Sequence, residues 1–272
     1  MMRGPISVLC SLFAISLFAG VARGQATAAP AAPPAAPTTR PANRGGGQPE
    51  AADLPSIKMG GDHGVGFIRR HVGFINDRRS MDNKVGLLFV GDSITDGWRN
   101  FGPRGGRDVF ERSYGRYRPL NIGIGGDRTQ HVLWRLDADE VEGISPKVAV
   151  LMIGTNNLGS NSNEEIVAAD AKIVEALRHK LPNTKVLLLG IFPRDAKPDT
   201  NNRNRIKAIN AELAKLDDGG QKVKYLDIGE KFLEPDGTLP PDGTMSDALH
   251  PNAKGYQIWA DAMQPALEEL MK

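Results

Sequence analysis

Residues 85–97 read Val-Gly-Leu-Leu-Phe-Val-Gly-Asp-Ser-Ile-Thr-Asp-Gly. The apolar run is that of a buried strand, and it stops at Gly91-Asp92-Ser93, where a helical segment should begin. A serine at the carboxyl end of a strand in an open α/β sheet stands where loops and helix N-termini converge and supply N–H donors for developing negative charge. Ser93 is therefore a candidate nucleophile. Taken alone, the tripeptide reads more readily as a turn whose serine caps the next helix, so other residues must decide.

Three further pieces follow in the chain: Gly123-Ile124-Gly125-Gly126-Asp127, Gly154-Thr155-Asn156-Asn157 and Asp247-Ala248-Leu249-His250-Pro251. Singly, each is an ordinary turn or cap. Together they supply the parts of an acyl-transfer site, none missing and none duplicated. A serine hydroxyl needs a base in hydrogen-bond reach, ideally an imidazole, and His250 fits. None of the other histidines, His63, His71, His131 and His179, follows a carboxylate at comparable spacing before a helix start. Asp247, three residues before His250, can accept the second ring N–H and stabilise the imidazolium. The Ser93 N–H, the Gly126 N–H and the Asn156 side-chain amide are the candidate oxyanion donors. Thr95 stands where a Gly-x-Ser-x-Gly nucleophile elbow needs glycine, so that motif is excluded. Trp98, Phe192, Arg194 and Leu249 flank these pieces as candidate substrate-binding residues, as do Trp134 and Met245; each reads equally as a core side chain or, for Arg194, a solvated loop.

Around these pieces, Leu87–Val90, Leu120–Ile124, Val148–Ile153, Val186–Leu189 and Val223–Ile228 are apolar without alternation, as expected of parallel strands covered on both faces. Ile166, Ile173, Val174, Leu177 and Leu181 recur at helical spacing, with Asn163 as the expected N-cap, and so do Ile206, Ile209, Leu213 and Leu216. Tyr256, Trp259, Met263, Leu267 and Leu270 mark a last helix. The repeated strand-helix order predicts an α/β fold, a three-layer α/β/α sandwich on a five-stranded parallel sheet of flavodoxin-like type, with every strand's carboxyl end on one edge.

The first 55 residues of the chain are expected to lie outside that core. Residues 1–24 carry Arg3, an apolar stretch from Ile6 to Val21, and Ala22-Arg23-Gly24 before Gln25, the form of a secretory signal peptide. Residues 25–55 are dominated by Ala, Pro, Thr and Gly and read as a disordered linker; the catalytic domain is expected over 56–272. Cleavage removes the only cysteine, Cys10, and with it any disulfide, thiolate metal site or cysteine nucleophile. It also removes two arginines, Arg3 and Arg23, taking the formal charge from +2 to zero. No nucleic-acid-binding surface is implied.

Gly91-Asp92-Ser93, Gly126, Gly154-Thr155-Asn156 and Asp247-x-x-His250 resemble, in order and context, the four blocks of the SGNH or GDSL hydrolase superfamily, whose named residues map to Ser93, Gly126, Asn156 and His250. Within it, Asn121 to Leu136 and Ile144 to Asn157 resemble the catalytic subunits of type I platelet-activating-factor acetylhydrolase. The resemblance spans about residues 85–270 and implies a serine ester hydrolase without metal or organic cofactor. Those subunits are intracellular, whereas the leader implies an exported protein, periplasmic or secreted, with no membrane span once mature. The expected substrate is accordingly a small ester or acetylated glycan, with a phospholipid acetylhydrolase or lysophospholipase as the alternative, acting as monomer or homodimer. An inactive glycan-binding domain of the same fold would have a broken triad. A nucleotide-binding flavodoxin-like domain would leave Asp247 and His250 without a task and lacks a Gly-x-x-x-x-Gly-Lys loop. Six residues separate Asn156 from Asn163, too few for a long lid, so acetyl is expected over long acyl chains.

Overall fold

The computed structural model describes residues 50–59, 61–241 and 243–272; the expected leader, and the Ala/Pro-rich segment as far as residue 49, lie outside the described residues. Helix α1 (Gly61–Ser80) precedes β1 (Leu87–Gly91), and the short α2 (Ser93–Asp96) follows it at once. The chain continues through α3 (Arg107–Tyr114), β2 (Pro119–Asn121), α4 (Thr129–Asp137) and β3 (Val148–Met152). It ends with α5 (Asn163–Lys180), β4 (Lys185–Leu189), α6 (Asn201–Leu213), β5 (Val223–Leu226) and α7 (Ala253–Leu270).

The uninterrupted apolar strands have a plain cause. Successive side chains of a strand point to opposite faces, and here both faces are covered: Leu88 and Val90 enter one core with α1, α4, α5 and α6, whereas Leu87 and Phe89 enter the other with α3 and α7. All five strands pair in parallel in the order β2-β1-β3-β4-β5. Leu120, Leu88, Ala149, Val186 and Val223 therefore lie in one row across the sheet, and the carboxyl ends share an edge. This is the α/β/α sandwich that the repeating pattern predicts. The strand order reverses between β1 and β3, and a crevice opens outside their carboxyl ends at such a switch point.

Three local details depart from expectation. The second strand ends at Asn121, not Ile124, because the Asn121 side chain accepts from Gly123 N at 2.9 Å and donates to Thr95 O at 2.7 Å, turning the chain into a loop. Ser162, not Asn163, caps α5: its hydroxyl accepts from Glu165 N, and the Glu165 carboxylate accepts from Ser162 N, a capping box. The packed chain also begins before residue 56. Ala52 is fully buried, its carbonyl accepts from Thr129 Oγ1 at 2.8 Å, and Ser56 N donates to Gln130 O at 3.1 Å.

Candidate active site

Ser93 is the first residue of α2, directly after β1. The Asp92 carboxylate caps that helix by accepting from Ile94 N at 2.9 Å, and the Ser93 N–H, in the first turn, has no partner within the helix. The strand-to-helix turn is tight enough to demand glycine at position 91, where a Cβ would lie 2.5 Å from Met152 O. From the other side, the Tyr256 hydroxyl of α7 donates to Ile94 O at 2.7 Å, so the last helix holds the serine's own turn in place.

The loop before α7 delivers the histidine. Ser246 N donates to His250 O at 2.9 Å, and Met245 and Pro251 form an antiparallel bridge, closing residues 246–250 into a compact turn with Ala248 at φ +56°. Inside it, Asp247 accepts from the backbone N–H groups of Leu249 and His250 at 3.1 and 2.7 Å, and its second oxygen lies 2.7 Å from His250 Nδ1. With Nδ1 so engaged, Nε2 faces the serine, 2.9 Å from Ser93 Oγ. The hydroxyl, the imidazole and the carboxylate thus form a continuous chain that can pass a proton from Oγ to the ring and stabilise the resulting imidazolium. Partial burial pushes the Asp247 carboxyl up, but hydrogen bonds from the His250 ring and from the His250 and Leu249 backbones outweigh it and hold the group below its usual range.

Opposite this chain lie the loops after β2 and β3. Gly126, at φ +72°, turns the backbone where a side chain would be strained. A Cβ built on neighbouring Gly125 would come within 3.9 Å of Ser93 Cβ, so this loop runs beside Ser93. Asn156 is half-buried, and its amide donates to Asp127 O at 2.8 Å. That bond orients the amide and leaves its second N–H for a ligand.

The profile of the GDSL-like lipase/acylhydrolase family matches residues 89–258, a span that includes all of these loops. The chain belongs to this family. Among curated proteins it is 33% identical over 209 residues to platelet-activating factor acetylhydrolase IB subunit alpha2 of Rattus norvegicus, covering 76% of this chain and 84% of the relative. It is 32% identical over 204 residues to the alpha1 subunit of Homo sapiens, covering 74% and 82%. Among solved structures, an acetylxylan esterase from Geobacillus stearothermophilus superposes with a TM-score of 0.54 at 22% identity, covering 69% of this chain and 96% of that one. A member of the lipolytic G-D-S-L family from Veillonella parvula superposes with a TM-score of 0.55 at 21% identity, covering 67% and 98%. The chain is an SGNH esterase, and the structural likenesses establish that its sandwich is the fold of such enzymes.

The flanking residues divide. Trp98 and Phe192 do not line the esterase's surface: both are buried in the core beneath α7, Trp98 against Tyr256 and Trp259 with centroids 4.4 and 4.9 Å away, and Phe192 against Phe232 and Trp259 at 4.7 and 4.9 Å. Met245 is buried too, and Trp134 packs on Phe67 and His71. Leu249 is partly buried beside His250. Arg194 stays near the edge, donating to Thr155 O and Oγ1 at 3.3 Å each.

Several residues that hold these loops have no role in the motif reading, although Asn157 and Asp127 lie inside its pieces. Asn157 is fully buried: its side-chain oxygen accepts from Thr129 N, and its amide nitrogen, with two N–H groups to give, lies 3.0–3.1 Å from Thr129 Oγ1, Gln130 Oε1 and Asn161 Oδ1, which laces the loops after β2 and β3 together. Its place beside Asn156 was the available signal. Asp127 lies within 3.0 Å of Arg135 Nε, and Arg135 Nη1 lies 2.6 Å from Glu140, all three fully buried. Burial pushes the Asp127 carboxyl up, against the pull of Arg135 and Lys58; with two cations at hand it serves as their counter-charge. His131 Nδ1 accepts from Arg128 N, and burial beside Lys58, Arg128 and Arg135 lowers its pKa to about 3, so this imidazole is neutral. Burial drives Asp92 the other way, up to about 7, despite its bond from Ile94 N. Among the described residues, no group of three or more His, Cys, Asp or Glu side chains is placed to hold a metal, and no helix is long and apolar enough to cross a membrane.

Proposed function

We propose that the chain removes short acyl groups, acetyl above all, from hydroxyls of a glycan or similarly small alcohol, through an acyl-enzyme on Ser93, and that it works as an exported enzyme. The observation that carries this reading is the unbroken path from Ser93 Oγ through His250 to Asp247, with steps of 2.9 and 2.7 Å. His250 Nε2 takes the hydroxyl proton as Oγ attacks the ester carbonyl. The oxyanion forms against the Ser93 and Gly126 N–H groups and the free N–H of Asn156. The alcohol leaves with the proton from His250; water, deprotonated by the same ring, then attacks the acyl-serine, and the small acid departs.

The preference for acetyl draws support from two sides. The similar esterase is named for acetylxylan and the similar subunits for an acetylhydrolase activity, so two different alcohols share one acyl group. The short passage between the Asn156 turn and α5 leaves no long lid. Export rests on the leader and the glycan substrate on export; Arg194 and Leu249, flanking Thr155 and His250, are the proposed contacts to the alcohol part. The identity to the acetylhydrolase subunits favours a second reading, an acetyl-phospholipid substrate.

Hydrolysis of p-nitrophenyl acetate, butyrate and octanoate should show kcat/KM falling with chain length, and a steady rise would point to a lipase instead. Ser93→Ala should abolish both turnover and labelling by a fluorophosphonate probe while leaving the fold intact; retention of a tenth of the rate would remove Ser93 from the nucleophile role. Acetylated xylan, acetylated sialic acid and an acetyl-phospholipid, compared side by side, decide between the two readings.

A further inference from the structure

The residues just before α1 reach the oxyanion side of the site. Lys58, held by this segment, has a side chain only 15% exposed, and its ammonium donates to Gly125 O at 2.9 Å and forms a close ion pair with Asp127 Oδ1 at 2.8 Å. These contacts fall on the residues immediately before and after Gly126, and a Cβ built on Gly126 would itself lie 3.6 Å from the Lys58 nitrogen. The ammonium therefore spans the left-handed turn from outside as a staple. Its own position is set by the bonds of residues 50–56 to α4, to the loop before α5 and to α5: Ser56 N to Gln130 O, Thr129 Oγ1 to Ala52 O, Asn161 Nδ2 to Glu50 O and Lys172 Nζ to Asp53 Oδ2.

The charges show what the staple is for. Asp127 and Glu140 are fully buried carboxylates, and Arg135 is the fully buried cation between them. Counting these three alone leaves one net negative charge beside a site that must build an oxyanion. Lys58 brings the sum to zero. His71, 3.7 Å from Glu140, and neutral His131, 3.9 Å from Asp127 and 4.0 Å from Glu50, also face the chain, and Asp92 feels the Asp127 charge.

We propose that Lys58 is a positioning residue of the esterase: it fixes the Gly126 N–H toward the oxyanion by clamping Gly125 and Asp127, and it cancels the Asp127 charge next to that oxyanion. The inference rests on the reading of Gly126 as an oxyanion donor given above. A mispositioned donor costs less than a deleted one, and its effect belongs to the transition state more than to substrate binding.

The test compares Lys58→Met, Lys58→Arg and Lys58→Met combined with Asp127→Asn in the full chain, on p-nitrophenyl acetate. Lys58→Met should lower kcat about 10- to 30-fold with KM changed less than about twofold. Lys58→Arg should recover most of the loss, and the double variant should exceed Lys58→Met, because removing the carboxylate removes the uncancelled charge. Ethylammonium added to Lys58→Ala, whose truncation leaves room for the amine, should raise kcat in a saturable way, which a merely structural lysine would not allow. Unchanged kcat in Lys58→Met, or a loss confined to KM, overturns the proposal, as does a double variant no faster than the single with no amine rescue. Fluorophosphonate labelling of each variant, with Ser93→Ala as control, separates the failures: if Ser93→Ala is inactive and Lys58→Met is not impaired, only the role of Lys58 falls, whereas an active Ser93→Ala removes the site itself.

Discussion

A side-chain amide carries two N–H groups, and in Asn156 one already donates to Asp127 O. On the proposed reading, the donor offered to substrate is thus aimed before substrate arrives, which is what makes an oxyanion hole effective. Asn156→Ala should lower kcat about 10²- to 10³-fold while the melting temperature stays near that of the parent. Its neighbour should behave in the opposite way. Asn157→Ala strips the buried bonds of its amide and leaves partners such as Thr129 N unsatisfied, at a cost of about 2–4 kcal/mol. Thermal melts should show a large drop for Asn157→Ala and none for Asn156→Ala, and steady-state kinetics should rank them the other way; a reversal would move the donor by one position. The contrast marks what can be read from sequence at this scale. That Ser93, Asp247 and His250 come together is legible because Ser93 follows directly on a strand and Asp247 and His250 share one short loop. Asn157 and Lys58 act across 28 and 67 residues of chain, and nothing local distinguishes a knitting asparagine or a clamping lysine from solvated ones.

At the scale of elements, the both-face apolar runs made the five strands legible, and the reversal of strand order between β1 and β3 explains why the loops after them hold the chemistry. What the periodicity concealed is a carboxylate on the inner face of α5. Asp170 is fully buried among apolar partners, neither of its oxygens has a hydrogen-bond partner, and one lies 3.6 Å from a Cβ built on Gly154. Its spacing fits the helix face of Ile166, Ile173, Val174 and Leu177, so a pattern of apolar residues passes over it. Burial, then the charge of Asp92, raises the Asp170 carboxyl well above its usual range, and burial raises Asp92 to about 7. The folded state therefore holds these protons more tightly than the unfolded chain. The stability they contribute is fully present below the ordinary carboxylate pKa near 4 and is lost as pH rises, for Asp92 through about 7. The Asp92 share is on the order of 4 kcal/mol across that interval. Asp170→Val removes one of the two buried acids. It should raise the melting temperature at pH 8 by about 3–6 °C and change it little at pH 4. Melts at pH 4, 6 and 8 read the difference, and a destabilised variant at pH 8 would mean that Asp170 is ionised and held by a partner.

For the molecule as a whole, the unit from Gln48 to Lys272 is compact, yet the family profile spans only residues 89–258. The residues ahead of that span include α1 and the strap of residues 50–59, which no periodicity announced because its bonds are made by backbone groups and by Ala52, Asp53 and Lys58 one at a time. Composition placed the end of the linker at residue 55, since Ala, Pro and Ser cannot bury much surface by themselves; the fully buried Ala52 shows that a small side chain suffices where α4 and α5 already provide the walls. Two shortened chains should therefore differ sharply. One starting at Gln48 retains the strap. One starting at Gly61 loses its bonds to Thr129, Gln130, Asn161 and Lys172 together with the Lys58 clamp. Relative to the first, the second should melt several degrees lower and lose more of kcat on p-nitrophenyl acetate than Lys58→Met does, because Asn157 and Gly126 lose their outer support at once. If the chain from Gly61 matched the longer one in both melting temperature and kcat, the strap would be a passenger on the surface, and the oxyanion loop would be held by Asn157, Arg135 and Asp127 alone.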